Sequence, residues 1–186
     1  MEVILYSDFN CPFCYALNER IHAAGVAERI QWRGVQHAPQ LPTPMAPAEP
    51  YLRAELQDEV SALRRWAPEM VIEIPRGKPN TGPAIAAVAA AMLTDATAAH
   101  SFKASLYRAF WRQGADLSDS KVLYDLARAA GLAEHGLAHN VDATVAKWQD
   151  EWMKSGFRGV PAMRRSDGQR LEGLVSQQVL QDFVLI

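Results

Sequence analysis

The opening run "EVILYS" (2–7) is β-favouring and ends at turn formers, which predicts a short buried strand. From Cys11 the pattern becomes helical. Leu17, Ile21 and Ala24 share one face, and Pro12 falls in the first turn, where a missing N–H costs nothing. Gly25 is a natural stop. "RIQWRGVQHA" (29–38) then alternates Ile30, Trp32 and Gly34 with polar positions and predicts a second strand. Strand, helix and strand at this spacing call for a parallel pair joined by a crossover helix.

The texture then changes. "APQLPTPMAPAEP" (38–50) holds five prolines and cannot be a central strand. Beyond it the chain is mainly helical: Glu49–Ala67, Thr81–Leu93, Ala98–Gln113, Ser118–Ala130 and Val141–Ser155, with 71–80 as an extended connector. Ser118 is the expected N-cap of the fourth of these helices and Gly131 its stop. The spacing of Leu56, Val60 and Leu63, and of Leu106, Phe110 and Leu117, predicts that this block brings its own apolar core. Near the end, "DG" (167–168) separates two β-compatible runs and predicts a hairpin of Ala162–Arg165 with Arg170–Glu172. An amphipathic helix capped by Ser176 closes the chain. The order is β–α–β, a helical block, then β–β–α. Segments 1–41 and 156–186 are expected to form one discontinuous α/β domain, with 42–155 inserted as a helical domain that covers it.

Composition narrows the function classes. With 186 residues, 49% of them apolar, the chain can bury a real core. A net charge of −2 offers no basic excess for nucleic acid. No run approaches the ~20 apolar residues of a membrane span. "MEVILYSDFN" has neither the basic start nor the long apolar stretch of a signal peptide, so with Met1 as the start the expected location is the cytoplasm. Structural disulfides are rare there, and paired cysteines tend to be catalytic or metal-binding.

Both cysteines, Cys11 and Cys14, sit in "SDFNCPFCY", just after the first strand and at the start of the first helix. A zinc site needs four ligands. The pair supplies two, and His22, His37, His100, His135 and His139 are scattered; each reads as an ordinary surface or core residue. His135 and His139 are four apart, but in a loop or short helix, so no metal site is expected. A redox pair has a physical basis. A cysteine at a helix N-terminus faces unsatisfied N–H groups and the positive end of the dipole, which stabilise its thiolate. Cys11 holds that position and is expected to be the exposed, low-pKa nucleophile. Cys14, one turn on, is expected to point inward and act as resolver. Pro12 stiffens the turn, and Phe13 presents an apolar face beside the sulfur.

The segments "SDFNCPFCY", "KPNTGPA", "LYRAFWRQGADLSDSKVLYDLARAAGL" and "GFRGVPAMRR…RLEGLVSQQVLQDF" resemble, in order, the DsbA-like thioredoxin family. The likeness falls in the branch that holds FrnE-type oxidoreductases and 2-hydroxychromene-2-carboxylate isomerases. It implies a thioredoxin-like α/β fold with a large all-helical insertion. It implies dithiol–disulfide exchange by Cys11 and Cys14, with Val160 and a cis Pro161 of "GVPA" lying across from them and touching substrate. It also implies that Asn80 and Thr81 line the groove and that Ser176 and Gln177 hold the γ-glutamyl carboxylate of glutathione, although helix capping explains these positions equally well. Isomerase and kappa-class transferase relatives usually carry Ser first in the motif, so two cysteines favour redox chemistry over the alternative, a glutathione-dependent isomerase or transferase acting on a small aromatic substrate.

Other residues have plainer expectations. Asp8 either terminates the first strand, the preferred reading, or sits near the thiols. Trp66, Trp111, Trp148 and Trp152 are expected in the core, and Arg64–Arg65 and Arg164–Arg165 in solvent. Expected partners are a disulfide-bearing peptide, a protein or a small thiol, with no bound cofactor and glutathione as a candidate co-substrate. Nucleic acid and membrane are not expected partners, and monomer and homodimer both stay open.

Overall fold

β1 (Val3–Ser7) is buried along its whole length, and it is the strand that joins the two ends of the chain. It pairs in parallel with β2 (Ile30–Gly34), so Val3 faces Ile30 and Ser7 faces Gly34. On its other side it pairs antiparallel with β3 (Ala162–Arg165), Val3 against Arg165 and Tyr6 against Ala162. β3 turns at Asp167–Gly168 into β4 (Arg170–Glu172), with Gly168 at φ 91°, where a side chain would be strained. The sheet order is β2-β1-β3-β4. The computed structural model describes residues 2–185, except for the side chains of Glu134 and His135. The expected His135–His139 spacing therefore falls partly outside the described residues.

Between β1 and β2 runs α1 (Pro12–Ala23), ended by Gly25 at φ 67°. Five α-helices lie between β2 and β3 among the described residues: α2 (Pro50–Trp66), α3 (Gly82–Thr94), α4 (Ala96–Gln113), α5 (Ser120–Ala129) and α6 (Asp142–Lys154). α7 (Gln177–Leu185) closes the chain, and the Ser176 hydroxyl accepts the Val179 N–H, so Ser176 caps the helix. The cap of α5 is Asp119, whose carboxylate accepts the Lys121 N–H, rather than Ser118, whose hydroxyl is spent on Asp116.

The helical block shares its larger apolar cluster with the sheet and holds a small one of its own, Ala89, Ala90 and Val141. Leu56, Val60 and Leu63 of α2 and Leu106 and Phe110 of α4 are buried in one cluster with Val3 and Leu5 of β1 and Leu17 and Ile21 of α1. The opposite face of the sheet carries a smaller cluster of Ile4, Tyr6 and Val35 under Trp148, Trp152 and Phe157. β2 stops at Gly34, short of the expected 38. A Cβ on Gly34 would meet Trp32 and Ile85 at 2.5–2.9 Å, so only glycine lets α3 pack there. The Val35 N–H still reaches the Ser7 carbonyl, and the chain then turns to side-chain partners: the Gln36 N–H goes to Gln149 and the His37 N–H to Asp8.

Three other expectations are corrected. Trp66 is 68% exposed at the end of α2, because its side chain lies edge-on to Phe13 instead of turning inward. Trp148 and Trp152 are half-buried over the sheet, and Trp111 alone of the four is fully enclosed. Arg165 is buried, with its guanidinium donating to the Phe183 carbonyl and to Asp167, so the hairpin and α7 are tied through it. Among the described residues no helix is long and apolar enough to cross a membrane, and no cluster of His, Cys, Asp or Glu is arranged to hold a metal.

Lys103 of α4 is 2% exposed, and among the described residues its ammonium has no acidic partner; the face of Trp32 lies 5.8 Å away. Burial pushes its pKa down to about 8, from an ordinary value of ~10.4. Below about 8 both folded and unfolded chains carry the charge, and the fold bears a burial cost of about 3 kcal/mol. Between that value and ~10.4 the unfolded chain holds a proton that the folded one has lost, so stability rises with pH. Lys103→Met is expected to raise the urea midpoint at pH 7 and to remove Lys103's part of that rise. A lowered midpoint at pH 7 would mean that the ammonium has a compensating partner.

Candidate active site

The site forms where the C-terminal ends of β1 and β2 meet the start of α1. Cys11 is the N-cap of α1, in extended backbone (φ −103°, ψ 119°), with Pro12 as the first helical residue. Its side chain therefore sits at the end of the helix where N–H groups lack intrahelical partners. The Val160–Pro161 peptide is cis, and the Cys11 thiol donates to the Val160 carbonyl at 3.4 Å. The antiparallel pairing of β3 with β1 makes this possible by bringing residue 160 to the motif.

The expectation that Cys11 is exposed is corrected: it is only 8% exposed, against 1% for Cys14. Val160 covers it from the β3 side. The segments around α2 come close on the other: Trp66 packs on Phe13 at 6.3 Å, the Tyr15 hydroxyl donates to the Val71 carbonyl, and the Asn10 side chain donates to the Pro79 carbonyl. The asymmetry of the pair lies in its electrostatics. The Cys11 thiol is held below its ordinary value, first by the hydrogen bond from Cys14, then by the Cys14 backbone N–H and the charge of His37. Burial and Glu59 oppose these. Burial pushes the Cys14 thiol well up, and negative charge on Cys11 pushes it further. Cys11 is thus the sulfur that ionises first and Cys14 the one that holds its proton.

Asp8 is the largest departure from expectation. It does end β1, but it also organises the site. Its carboxylate is fully enclosed and accepts the Thr81 hydroxyl at 2.7 Å, the His37 N–H at 3.0 Å, the His37 ring Nδ1 at 2.8 Å and the Asn10 N–H at 3.4 Å. Its main-chain carbonyl accepts the Cys11 N–H. His37, read as an ordinary histidine, is therefore fixed at the site. Burial alone would lower its pKa, but the hydrogen bond and charge of Asp8 outweigh that and hold it above the ordinary value. Lys78 is buried and paired with Glu55 and Glu59 at 2.8 and 2.9 Å. The parallel register offered the signal: Ser7 faces Gly34, so residues just past both strands end side by side, at the sheet end where Cys11 stands.

The remaining expected positions divide. Phe13 and Val160 are half-buried and Pro12 and Pro161 buried, all around Cys11. Asn80 is not free to meet a substrate. Its oxygen accepts the Gln36 amide and the Gly82 N–H, and its nitrogen donates to the Pro39 and Leu41 carbonyls, so it pins the 36–41 segment and starts α3. Thr81 serves Asp8. Ser176 and Gln177 line a hollow of about 350 Å³ with Arg20, Trp66, Glu69 and Leu174. Trp66 links that hollow to Phe13 of the motif.

A four-stranded mixed sheet, a Cys-Pro-Phe-Cys motif opening the helix after β1, and a cis-proline facing it define a thioredoxin-fold protein. The chain belongs to the DsbA-like thioredoxin family: the DSBA-like thioredoxin domain matches residues 2–184. Among solved structures it is similar to a probable DsbA oxidoreductase of Streptomyces coelicolor, at 17% identity and TM-score 0.76, over 99% of this chain and 88% of that one. It is also similar to the cytosolic disulfide reductase DsbM of Pseudomonas aeruginosa with GSH, at 16% identity and TM-score 0.72, over the full length of both chains. A 2-hydroxychromene-2-carboxylate isomerase shares 19% identity and TM-score 0.69, over 98% of this chain and 94% of that one. At such identities the likeness is one of fold. No curated protein matches the chain.

Iodoacetamide at about pH 7, below the free-thiol value of ~8.5, is expected to alkylate Cys11 well before Cys14. Peptide mapping reads the order, and preferential labelling of Cys14 would reverse the assignment of nucleophile and resolver.

Proposed function

We propose that this protein is a thiol–disulfide oxidoreductase in which Cys11 is the nucleophile and Cys14 the resolver. The observation that carries this reading is the placement of the two sulfurs: Cys11 is the N-cap of α1 with its thiol on the Val160 carbonyl of the cis Val160–Pro161 peptide, while Cys14, one turn on, is 1% exposed in the core. The lowered Cys11 and raised Cys14 thiols agree with that placement. A zinc site would want both as thiolates, and a structural pair would not need them different.

In the reductive direction the Cys11 thiolate attacks one sulfur of a substrate disulfide. A Cys11–substrate S–S bond forms, the substrate S–S bond breaks, and the departing thiolate takes a proton from solvent. Cys14 then gives up its proton and attacks Cys11 Sγ. The Cys11–Cys14 disulfide forms and the second substrate thiolate leaves. The substrate gains two electrons and the protein loses two. Two molecules of a small thiol, with glutathione the candidate, restore the dithiol and leave as their disulfide. The same steps run backward in oxidation. The high pKa of Cys14 suits a resolver: it stays protonated while the mixed disulfide forms and becomes the better nucleophile once ionised.

The substrate follows from the cover over Cys11. With 8% exposure, the sulfur is reached by a disulfide on a small thiol, a peptide or a flexible segment, and not by one set in a flat folded surface. The Val160 carbonyl, beside the sulfur, is a main-chain group that an extended substrate can meet. Trp66 and Phe13 offer an apolar flank. The hollow at Ser176 and Gln177 starts at the N-terminus of α7, which suits the carboxylate end of glutathione. The glutathione-dependent isomerase alternative has no observation in its particular favour, since both motif positions are cysteine.

Cys14→Ser is expected to accumulate a mixed disulfide on Cys11, visible by mass spectrometry, because the resolving sulfur is gone. Cys11→Ser should form none and turn over nothing. Exchange activity retained by both variants would show that the thiols are not the catalytic pair.

A further inference from the structure

The two residues between the cysteines, Pro12 and Phe13, carry no charge. Any cation that tunes Cys11 must therefore come from elsewhere in the fold. His37 is a candidate, and it is firmly held. It is bound twice to Asp8, through its backbone N–H and through ring Nδ1, and Asp8 also accepts the Cys11 N–H on its main-chain carbonyl. One enclosed residue thus fixes both the nucleophile and the imidazole. The His37 side chain keeps 30% exposure while Asp8 has none, so the ring lies at the surface side of the pair.

The geometry points to Asp8 and His37 as positioning residues for the proposed thiol–disulfide reaction: Asp8 clamps the ring near Cys11, and the ring's positive charge stabilises the Cys11 thiolate. This inference deepens the proposed function and rests on it for its chemical purpose.

The surrounding charges allow it. Facing His37 are Asp8 and Cys11 from the β1–α1 connection and Lys78 from the connector before α3. Lys78 opposes a charged ring, but Glu55 and Glu59 of α2 pair with Lys78 and offset it. The ring holds its proton above the usual histidine value, and it lowers Cys11, which in turn favours the charged ring. A stabilised thiolate stabilises the dithiol form, so the protein becomes a stronger oxidant. Once pH rises past the His37 titration the charge is lost and that advantage disappears.

The test uses His37→Gln, which keeps the backbone bond to Asp8 and removes the charge, together with His37→Lys, which keeps a charge at all relevant pH. In a Cys14→Ser background, thiolate absorbance against pH reads the Cys11 midpoint. In the full dithiol protein, equilibration with reduced and oxidised glutathione reads the potential. His37→Gln is expected to raise the Cys11 midpoint by about one unit. It should also cut the dithiol:disulfide equilibrium constant about tenfold at pH 7, or about 30 mV toward a more reducing potential. His37→Lys should restore both and flatten their pH dependence. Asp8→Asn, with urea melts to confirm folding, should shift the midpoint in the same direction as His37→Gln. Identical Cys11 midpoints and glutathione equilibria in wild type and a folded His37→Gln would overturn the inference, and so would a His37→Lys variant that behaves like His37→Gln. A wild type that does not exchange with glutathione or a peptide disulfide would instead overturn the proposed function, and the Cys11 midpoint would still decide the role of His37.

Discussion

A carboxylate removed entirely from water must have its oxygens satisfied, and Asp8 is such a group. Its partners come from three places: Asn10 just before α1, His37 after β2, and Thr81 at the start of α3. Meeting that one demand holds together the end of the parallel strand pair, the entry to α1 and the first turn of a helix more than seventy residues away in sequence. Each oxygen is served twice, Oδ1 by Thr81 and Asn10 and Oδ2 by the His37 N–H and ring, so the enclosed carboxylate keeps a partner on both atoms. The carboxylate thus ties fold and site in a single requirement.

Around that centre the apolar core is continuous. Phe9, 0% exposed, packs on Trp32 and Tyr107 at 5.5 and 4.6 Å, so a residue of the motif loop touches both β2 and α4. The Trp111 indole donates to the Phe9 carbonyl at 2.9 Å and satisfies a backbone group that the loop cannot pair for itself. The segment between β2 and β3 is therefore integral to the active-site loop rather than an appendage. Its connector shows the same closeness at Gly77, where a Cβ would stand 2.1 Å from the Ala46 carbonyl oxygen; two extended segments approach there only because one residue has no side chain.

Chemistry follows from how differently this frame treats two identical side chains. Three positions apart on one helix, Cys11 meets a cation, N–H groups and the Val160 carbonyl, while Cys14 meets the core. Burial disfavours charge on both, yet only Cys11 has enough compensation to overcome it. In the proposed exchange that gradient would give the reaction an order, with attack by one sulfur and resolution by the other.

Local signals were enough for much of this. The alternation at Ile30 and Trp32, the helix opening at Pro12, the Asp167–Gly168 turn and the Ser176 cap depend on short-range backbone preferences, and the strands and helices stand within a few residues of the expected limits. The Cys-x-x-Cys pair could be placed at the start of α1 because its spacing and its position after the first strand are both local. Tertiary structure decided the rest. It packed α2 and α4 into one cluster with β1 and α1, turned Trp66 outward onto Phe13, buried Arg165 against α7 and covered Cys11 with Val160. Above all it made Asp8 and His37 partners across 29 residues. A lone aspartate and a lone histidine carry no periodicity and no motif; their meaning comes from the parallel register that sets the ends of β1 and β2 side by side, and pairing at such range is a property of the packed sheet rather than of any stretch of chain.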